Sequence, residues 1–192
     1  PTIGGRMLLL DKTFPTNDCA MCILSPKMVE VARHPNIEIL TSSEVKKFSG
    51  KAGNFKLTLQ QMPRYVNERC SACGNCTNAC PVEVSNEVEQ GLTWRKAIYI
   101  PLPQAIPTRY LIDRKSCLGL EPNTCARCKA TCSLKAIDYN QKEETIKLNV
   151  GSVILSVGAE AYDPSKETSY NYRHKNVITS MEFERLMNAS GP

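Results

Sequence analysis

A run of four cysteines near the middle of the chain constrains its fold more than any other feature. The run is Cys70-Ser-Ala-Cys73-Gly-Asn-Cys76-Thr-Asn-Ala-Cys80-Pro81, with the spacing C-x2-C-x2-C-x3-C-P of bacterial ferredoxins. Three thiolates spaced by two residues can occupy three iron corners of one cubane from a single tight loop. Gly74 lets the backbone approach the inorganic sulfides closely, where its N–H groups can donate to them. The motif therefore predicts an iron–sulfur site.

A second set of cysteines has related spacing. It consists of Cys117 followed by Cys125-Ala-Arg-Cys128-Lys-Ala-Thr-Cys132, and its departures from the motif are a longer first gap and Ser133 in place of the usual proline. Gly119 and Pro122 in the longer gap allow that loop to bulge outward and return. In two-cluster ferredoxins the fourth cysteine of each run binds the other cluster. We therefore assign Cys70, Cys73, Cys76 and Cys132 to one [4Fe–4S] cluster, and Cys117, Cys125, Cys128 and Cys80 to the other.

Other uses of the ten cysteines fit the sequence less well. Five disulfides would suit an exported protein, but the chain shows no export signal, and several cysteines are only three residues apart. Two tetrahedral zinc sites would also use eight thiolates. Zinc motifs normally come as isolated pairs, however, and two histidines are too few for a Cys/His pattern. The spacing therefore favours iron–sulfur clusters over a zinc-stabilised interaction module.

Charge and hydropathy argue against nucleic acid and membrane partners. The formal net charge is +5, but Lys and Arg are scattered beside acidic residues and are not interleaved with aromatic ones. The longest apolar runs, such as Val153–Val157, are far shorter than a membrane span. We therefore expect a cytoplasmic protein with no nucleic-acid partner and no membrane span.

The chain divides into three zones, of which 1–62 has a mixed α/β pattern. The elements predicted there are a helix capped by Ser25 that begins at Pro26 and ends near Arg33, a short buried strand Ile37–Leu40, and a hairpin of Val45–Phe48 with Asn54–Gln60.

Residues 63–140 hold eight of the cysteines, and their apolar runs are short and broken by prolines, so bound clusters would have to supply stability there. Residues 141–192 return to an α/β pattern. Their predicted elements are a strand Thr145–Asn149, a buried strand Ser152–Val157 and a helix Met181–Met187 capped by Ser180. The pattern thus predicts that the middle zone is inserted between two related ones.

Cys19-Ala-Met-Cys22 precedes a predicted helix and has three interpretations. The pair could supply half of the ligands of a third cluster whose other ligands lie outside this chain. It could also be a redox dithiol whose thiolate is favoured by the helix N-terminus. The third interpretation is a pair of buried structural thiols.

Several stretches resemble one protein family. They are Gly4-Gly5-Arg6-Met7, Leu10–Thr16, Asp18–Lys27, Pro63–Val66, Arg95–Pro101 and Thr179–Arg185. On these residues the chain resembles the A subunit of heterodisulfide reductase and its relatives in sulfate reducers, including the A subunit of the quinone-interacting oxidoreductase. The resemblance covers almost the full length.

The resemblance implies an α+β fold in which a two-cluster ferredoxin-like domain, 63–140, interrupts a partial α/β FAD-binding domain of the thioredoxin-reductase type, 1–62 and 141–192. It implies FAD contacts at Gly4, Gly5 and Arg6, and at Val157 and Gly158. The glycine-rich FAD fingerprint and the C-terminal ferredoxin-like part of the family are not in this sequence. We therefore expect an internal segment that holds FAD firmly only in the full-length protein.

The function that follows is electron transfer through two [4Fe–4S] clusters, within a subunit of a flavin-containing, electron-bifurcating oxidoreductase. No catalytic residue is assigned. The implied partners are other subunits of such a complex and redox proteins, namely ferredoxin and a hydrogenase- or dehydrogenase-type donor. The alternative is a stand-alone two-cluster electron carrier, although the α/β sequence on each side of the cysteines exceeds what a carrier needs.

Overall fold

The computed structural model describes residues 1–192. Its four α-helices are α1 (Ala20–Arg33), α2 (Asn75–Ala79), α3 (Arg127–Thr131) and α4 (Ser180–Met187), and three 3-10 helices span Gly5–Leu9, Pro164–Lys166 and Thr168–Tyr170. Its nine strands are β1 (Lys12–Thr13), β2 (Asp18–Cys19), β3 (Ser43–Lys51), β4 (Asn54–Gln61), β5 (Glu83–Ser85), β6 (Trp94–Lys96), β7 (Ile98–Tyr99), β8 (Leu111–Ile112) and β9 (Glu144–Val150). No helix has the length and apolar character needed to cross a membrane.

The largest sheet is antiparallel and has the strand order β3-β4-β9. The predicted hairpin is confirmed as β3 and β4, and the predicted strand Thr145–Asn149 is confirmed within β9. Leu57 pairs with Phe48 on one side and with Leu148 on the other. Because β4 and β9 are neighbours, the segment between them leaves this sheet and returns to it.

The segment between β4 and β9 is built from short elements around a cysteine-rich core. Its three small antiparallel pairings are β5 with β6, β7 with β8, and an isolated bridge between Val66 and Ile137. The helices α2 and α3 pack against each other. The ten residues of the core are Tyr65, Val66, Cys76, Ala97, Ile98, Ile112, Cys117, Cys128, Ala136 and Ile137.

The prediction that α1 begins at Pro26 is wrong. The helix begins at Ala20, its N-cap is Cys19, and Pro26 lies inside it. The early turn is stabilised by packing, because Met21 and Leu24 contact a small core formed by Leu8, Met28 and Leu102. This tertiary burial outweighs the local preference of proline for the first turn.

Two apolar runs predicted as buried strands are not strands. Ile37–Leu40 has no regular secondary structure. The same is true of the run Ser152–Val157, in which the exposed fractions of Ile154 and Val157 are 90% and 91%. Continuous apolar runs of this kind form strands when a sheet and its covering layers bury both faces, and neither run joins a sheet here.

The C-terminal helix was predicted correctly apart from its cap. The N-cap of α4 is Thr179, one residue before the predicted Ser180. The Thr179 hydroxyl accepts from the Glu182 backbone N–H, and the Glu182 carboxylate accepts from the Thr179 N–H. This reciprocal capping box satisfies two backbone donors and fixes the start of the helix.

Candidate metal centre

The structure brings the eight central cysteines together as two groups of four, each lining its own cavity. The first cavity is lined by Cys70, Cys73, Cys76 and Cys132. The second cavity is lined by Cys80, Cys117, Cys125 and Cys128. These groups are the two ligand sets proposed from the spacing, including the exchange of Cys80 and Cys132 between the runs.

The first cavity is formed where a tight loop enters α2. Gly74 is the N-cap of α2 and has a φ of 86°, a left-handed conformation that glycine adopts without strain. The turn directs Cys76 into the core while Cys70 and Cys73 remain on the loop before it. Cys132 arrives from the opposite side as the C-cap of α3, and its Sγ accepts from the Ala136 N–H at 3.3 Å.

The second cavity is closed by the loop with the longer gap. Cys117 donates its N–H to the Asp113 carbonyl at 3.1 Å, and the Thr124 N–H bonds the Leu118 carbonyl at 2.8 Å. This bond closes the residues between Cys117 and Cys125 into a compact loop, so that both cysteines line the same cavity. Cys80 reaches the cavity as the C-cap of α2.

Gly119 allows this loop to pack closely against Cys125 and Tyr139. A Cβ atom there would lie 2.5 Å from the Cys125 carbonyl oxygen and 2.9 Å from the Tyr139 hydroxyl. Both distances are below those of real Cβ contacts. The longer gap therefore requires glycine at this position.

Burial controls the protonation of the most enclosed thiols. It raises the pKa of Cys76 to about 11 and also raises the pKa of Cys128 above its ordinary value. Without a metal these thiols are protonated at neutral pH, so binding of iron must displace their protons. Nearby, burial and the charge of Arg109 lower the pKa of Arg64 to about 10.

The donor set of each cavity consists of cysteine thiols. Each cavity offers four thiols and no imidazole. No three His, Cys, Asp or Glu side chains lie close enough together to hold one metal ion. Four thiols fit a cubane, whose four irons each take one thiolate.

Tyr139 and Ile98 are site residues that the cysteine spacing did not indicate. The Tyr139 hydroxyl lies 3.0 Å from Cys128 Sγ. Ile98 is fully buried and lines both cavities, so one side-chain layer separates them. A tyrosine seven residues after a cysteine run has no distinctive local pattern, and neither does one apolar residue in a short strand.

The five residues expected to contact FAD lie apart from the cysteine cavities. Gly4, with a φ of 100°, packs closely against Leu8 and Met28, while Gly5 and Arg6 are exposed. Val157 and Gly158 lie in the exposed run after β9. The structure does not bring these two stretches into one site.

Cys19 and Cys22 form a disulfide at the start of α1, with Cα atoms 5.2 Å apart. The Cys22 N–H also donates to Cys19 Sγ at 3.1 Å. Cys19 is half-buried and Cys22 is exposed, so the interpretation as a pair of buried structural thiols is wrong. Neither residue lines the two cysteine cavities.

Comparison with known proteins shows which family this chain resembles. The whole chain is 50% identical to the iron-sulfur A subunit of the CoB–CoM heterodisulfide reductase of Methanocaldococcus jannaschii. It is 47% identical to the A subunit of the H2:CoB-CoM heterodisulfide,ferredoxin reductase of Methanothermobacter marburgensis, and it spans 29% of each of these two proteins. It is 42% identical to the A subunit of the ferredoxin/F420H2-dependent CoB-CoM heterodisulfide reductase of Methanosarcina acetivorans, of which it spans 24%.

The chain is therefore homologous, over its whole length, to a segment of the A subunit of the heterodisulfide reductases, and the family resemblance is confirmed. Those relatives are named as subunits of oxidoreductases. The chain spans less than a third of the length of these curated relatives. No protein-family model matches it.

Proposed function

We propose that this chain transfers electrons through two [4Fe–4S] clusters, within the A subunit of a heterodisulfide reductase-type oxidoreductase. The observation that carries the proposal is the presence of two cavities, each lined by four cysteines drawn from both runs. When bound, each cluster accepts or donates one electron at a time. One set of ligands is Cys70, Cys73, Cys76 and Cys132, and the other is Cys80, Cys117, Cys125 and Cys128.

The arrangement of the two cavities supports transfer between them. Ile98 lines both cavities. Helix α2 carries Cys76 of the first set and ends at Cys80 of the second. Helix α3 carries Cys128 of the second set and ends at Cys132 of the first. The exchange of ligands ties the distance between the sites to the packing of two helices. Burial of Cys76, Cys117 and Cys128 limits access of water to the sulfurs, which is one of the factors that set a cluster potential.

The proposed domain organisation follows from the path of the chain. Residues 63–140 form a ferredoxin-like domain inserted into an α/β domain of the FAD-binding type, which 1–62 and 141–192 share. The antiparallel pairing of β4 with β9 supports this, since it joins residues on either side of the insertion. In the longer polypeptide, Gly4, Gly5, Arg6, Val157 and Gly158 would lie beside FAD.

The partners are proposed from the names of the relatives. Those names include ferredoxin, H2, formate and F420H2 beside the CoB-CoM heterodisulfide. We infer that the intact protein works in a complex with a hydrogenase- or dehydrogenase-type donor and with ferredoxin. Its FAD would divide electron pairs between two acceptors, and the clusters of this chain would carry one branch.

Metal analysis under anaerobic conditions tests the proposal. Two cubanes predict about eight irons and eight acid-labile sulfides per chain, with EPR signals of [4Fe–4S] clusters after reduction. About twelve of each would add a third cluster at Cys19 and Cys22. Zinc without acid-labile sulfide would contradict the proposal and favour an interaction module. Flavin binding by a longer polypeptide distinguishes an oxidoreductase component from a free-standing carrier. Stoichiometric flavin in that polypeptide, together with its loss in a Gly5→Val variant, would favour the oxidoreductase component.

A further inference from the structure

A tyrosine hydroxyl lies beside a cysteine sulfur in the second cavity. Tyr139 lines the second cavity, and its Oη lies 3.0 Å from Sγ of the buried Cys128. If Cys128 binds iron as a thiolate, its sulfur has no proton to give, so the tyrosine hydroxyl must be the donor. The contact then becomes a charge-assisted hydrogen bond.

Neighbouring residues hold the hydroxyl in this place. The absence of a side chain at Gly119 leaves room for it, because a Cβ atom there would approach the Tyr139 oxygen to 2.9 Å. The Lys129 ammonium lies 5.6 Å from the centroid of the Tyr139 ring, within range of a cation–π contact. The ring also packs against the cysteine-rich core. Tyr139 is therefore restrained from three sides, so its contact with Cys128 is not that of a freely rotating surface tyrosine.

The first cavity has no tyrosine hydroxyl bonded to a cysteine sulfur. Tyr110 lines it, but the Tyr110 hydroxyl makes no hydrogen bond to any of its four cysteines. The sulfur of Cys132 instead accepts a backbone N–H, from Ala136. The two sites thus differ in that only the second has a tyrosine hydroxyl on a ligand sulfur.

We propose that Tyr139 raises the reduction potential of the second cluster by donating a hydrogen bond to the Cys128 thiolate. The inference rests on the proposed function. Reduction adds negative charge that spreads onto the ligand sulfurs, so a donor at sulfur stabilises the reduced form more than the oxidised one. Tyr139 is a tuning residue here, which acts through a ligand and does not itself bind iron. Its hydroxyl makes the second cluster a better electron acceptor than the same cluster would be without it.

Redox titration followed by EPR on the reconstituted full chain tests this role. The variant is Tyr139→Phe, which removes only the hydroxyl, and the matched control is Tyr110→Phe at the first cavity. We expect one of the two cluster potentials to become more negative in Tyr139→Phe and the other to stay unchanged. Neither should move in Tyr110→Phe. Two loaded clusters with unaltered potentials in Tyr139→Phe would overturn the inference.

A second measurement covers the case in which Tyr139→Phe loads iron poorly. Replacement of Tyr139 by 3-fluorotyrosine keeps the ring and makes the hydroxyl a stronger donor, so the same potential should move in the positive direction. An unmoved potential there would also overturn the inference. Iron and sulfide are counted in every sample, since failure of the unaltered chain to bind clusters contradicts the proposed function, whereas two clusters without a shift contradict only the role of Tyr139.

Discussion

The guanidinium of Arg185 and the carboxylate of Glu89 form a bidentate ion pair inside the protein, with N–O distances of 2.9 and 3.0 Å. The Arg185 side chain is 0% exposed. It also donates to the carbonyls of Leu9 and Ser190, at 3.2 and 2.9 Å. One buried charge therefore links the N-terminal segment, the cysteine-rich segment and α4.

Removal of the Glu89 charge should destabilise the protein strongly. In Glu89→Gln the Arg185 guanidinium stays buried without a counter-ion, and breaking such a pair costs about 3–5 kcal/mol of unfolding free energy. Urea unfolding followed by circular dichroism measures the change. The control is Lys46→Met, which breaks an exposed pair with Glu44 and should cost no more than about 1 kcal/mol. If both variants lost similar free energies of unfolding, the Glu89–Arg185 pair would not be what holds the three segments together.

The exchange of ligands between the two runs predicts a pattern in paired substitutions. Cys132→Ser alone should lower the iron content from about eight to about four per chain. Addition of Cys73→Ser should remove no more iron, because both residues line the first cavity. Addition of Cys125→Ser to Cys132→Ser should remove nearly all of the iron, because Cys125 lines the second cavity.

The same experiment distinguishes the exchanged arrangement from the uncrossed one. If each run held its own cluster, Cys132 and Cys125 would serve the same cluster. Cys132→Ser with Cys125→Ser would then retain four irons, and Cys132→Ser with Cys73→Ser would retain none. Iron and sulfide analysis after reconstitution separates these outcomes.

Gly119→Ala should weaken the second site selectively. The new Cβ would collide with the Cys125 carbonyl and with the Tyr139 hydroxyl, so the loop that carries two ligands must shift. We expect loss of about half of the iron, with the EPR signal of the first cluster retained. Gly151→Ala is the matched control, because a Cβ there meets nothing within 4 Å. Equal iron contents in the two variants would show that the loop tolerates the methyl group.

Features recorded in local spacing could be predicted from the sequence. The cysteine runs specify tight loops, and Gly50 and Gly53 allow the turn of the β3–β4 hairpin. The sequence also predicts helix α4, although its N-cap is Thr179 and not the predicted Ser180. The errors concern elements that depend on distant partners. Pro26 lies inside α1 because Leu8 and Leu102 help to bury the helix, and the apolar pattern of Ser152–Val157 does not reveal that its side chains stay exposed. The Arg185–Glu89 pair joins residues 96 positions apart, so neither residue stands out by itself.

The Cys19–Cys22 disulfide should respond to mild reductants while the clusters stay intact. Cys22 is exposed at the start of α1, where the N–H groups of the helix favour a thiolate. In the cluster-loaded protein, alkylation before reduction should label neither residue, and alkylation after treatment with dithiothreitol should label both, with the iron content unchanged. Peptide mapping by mass spectrometry identifies the labelled residues, and Cys19→Ser with Cys22→Ser is the control that gains no label. Protection of both residues after reduction, together with about twelve irons per chain, would instead make them ligands of a third cluster.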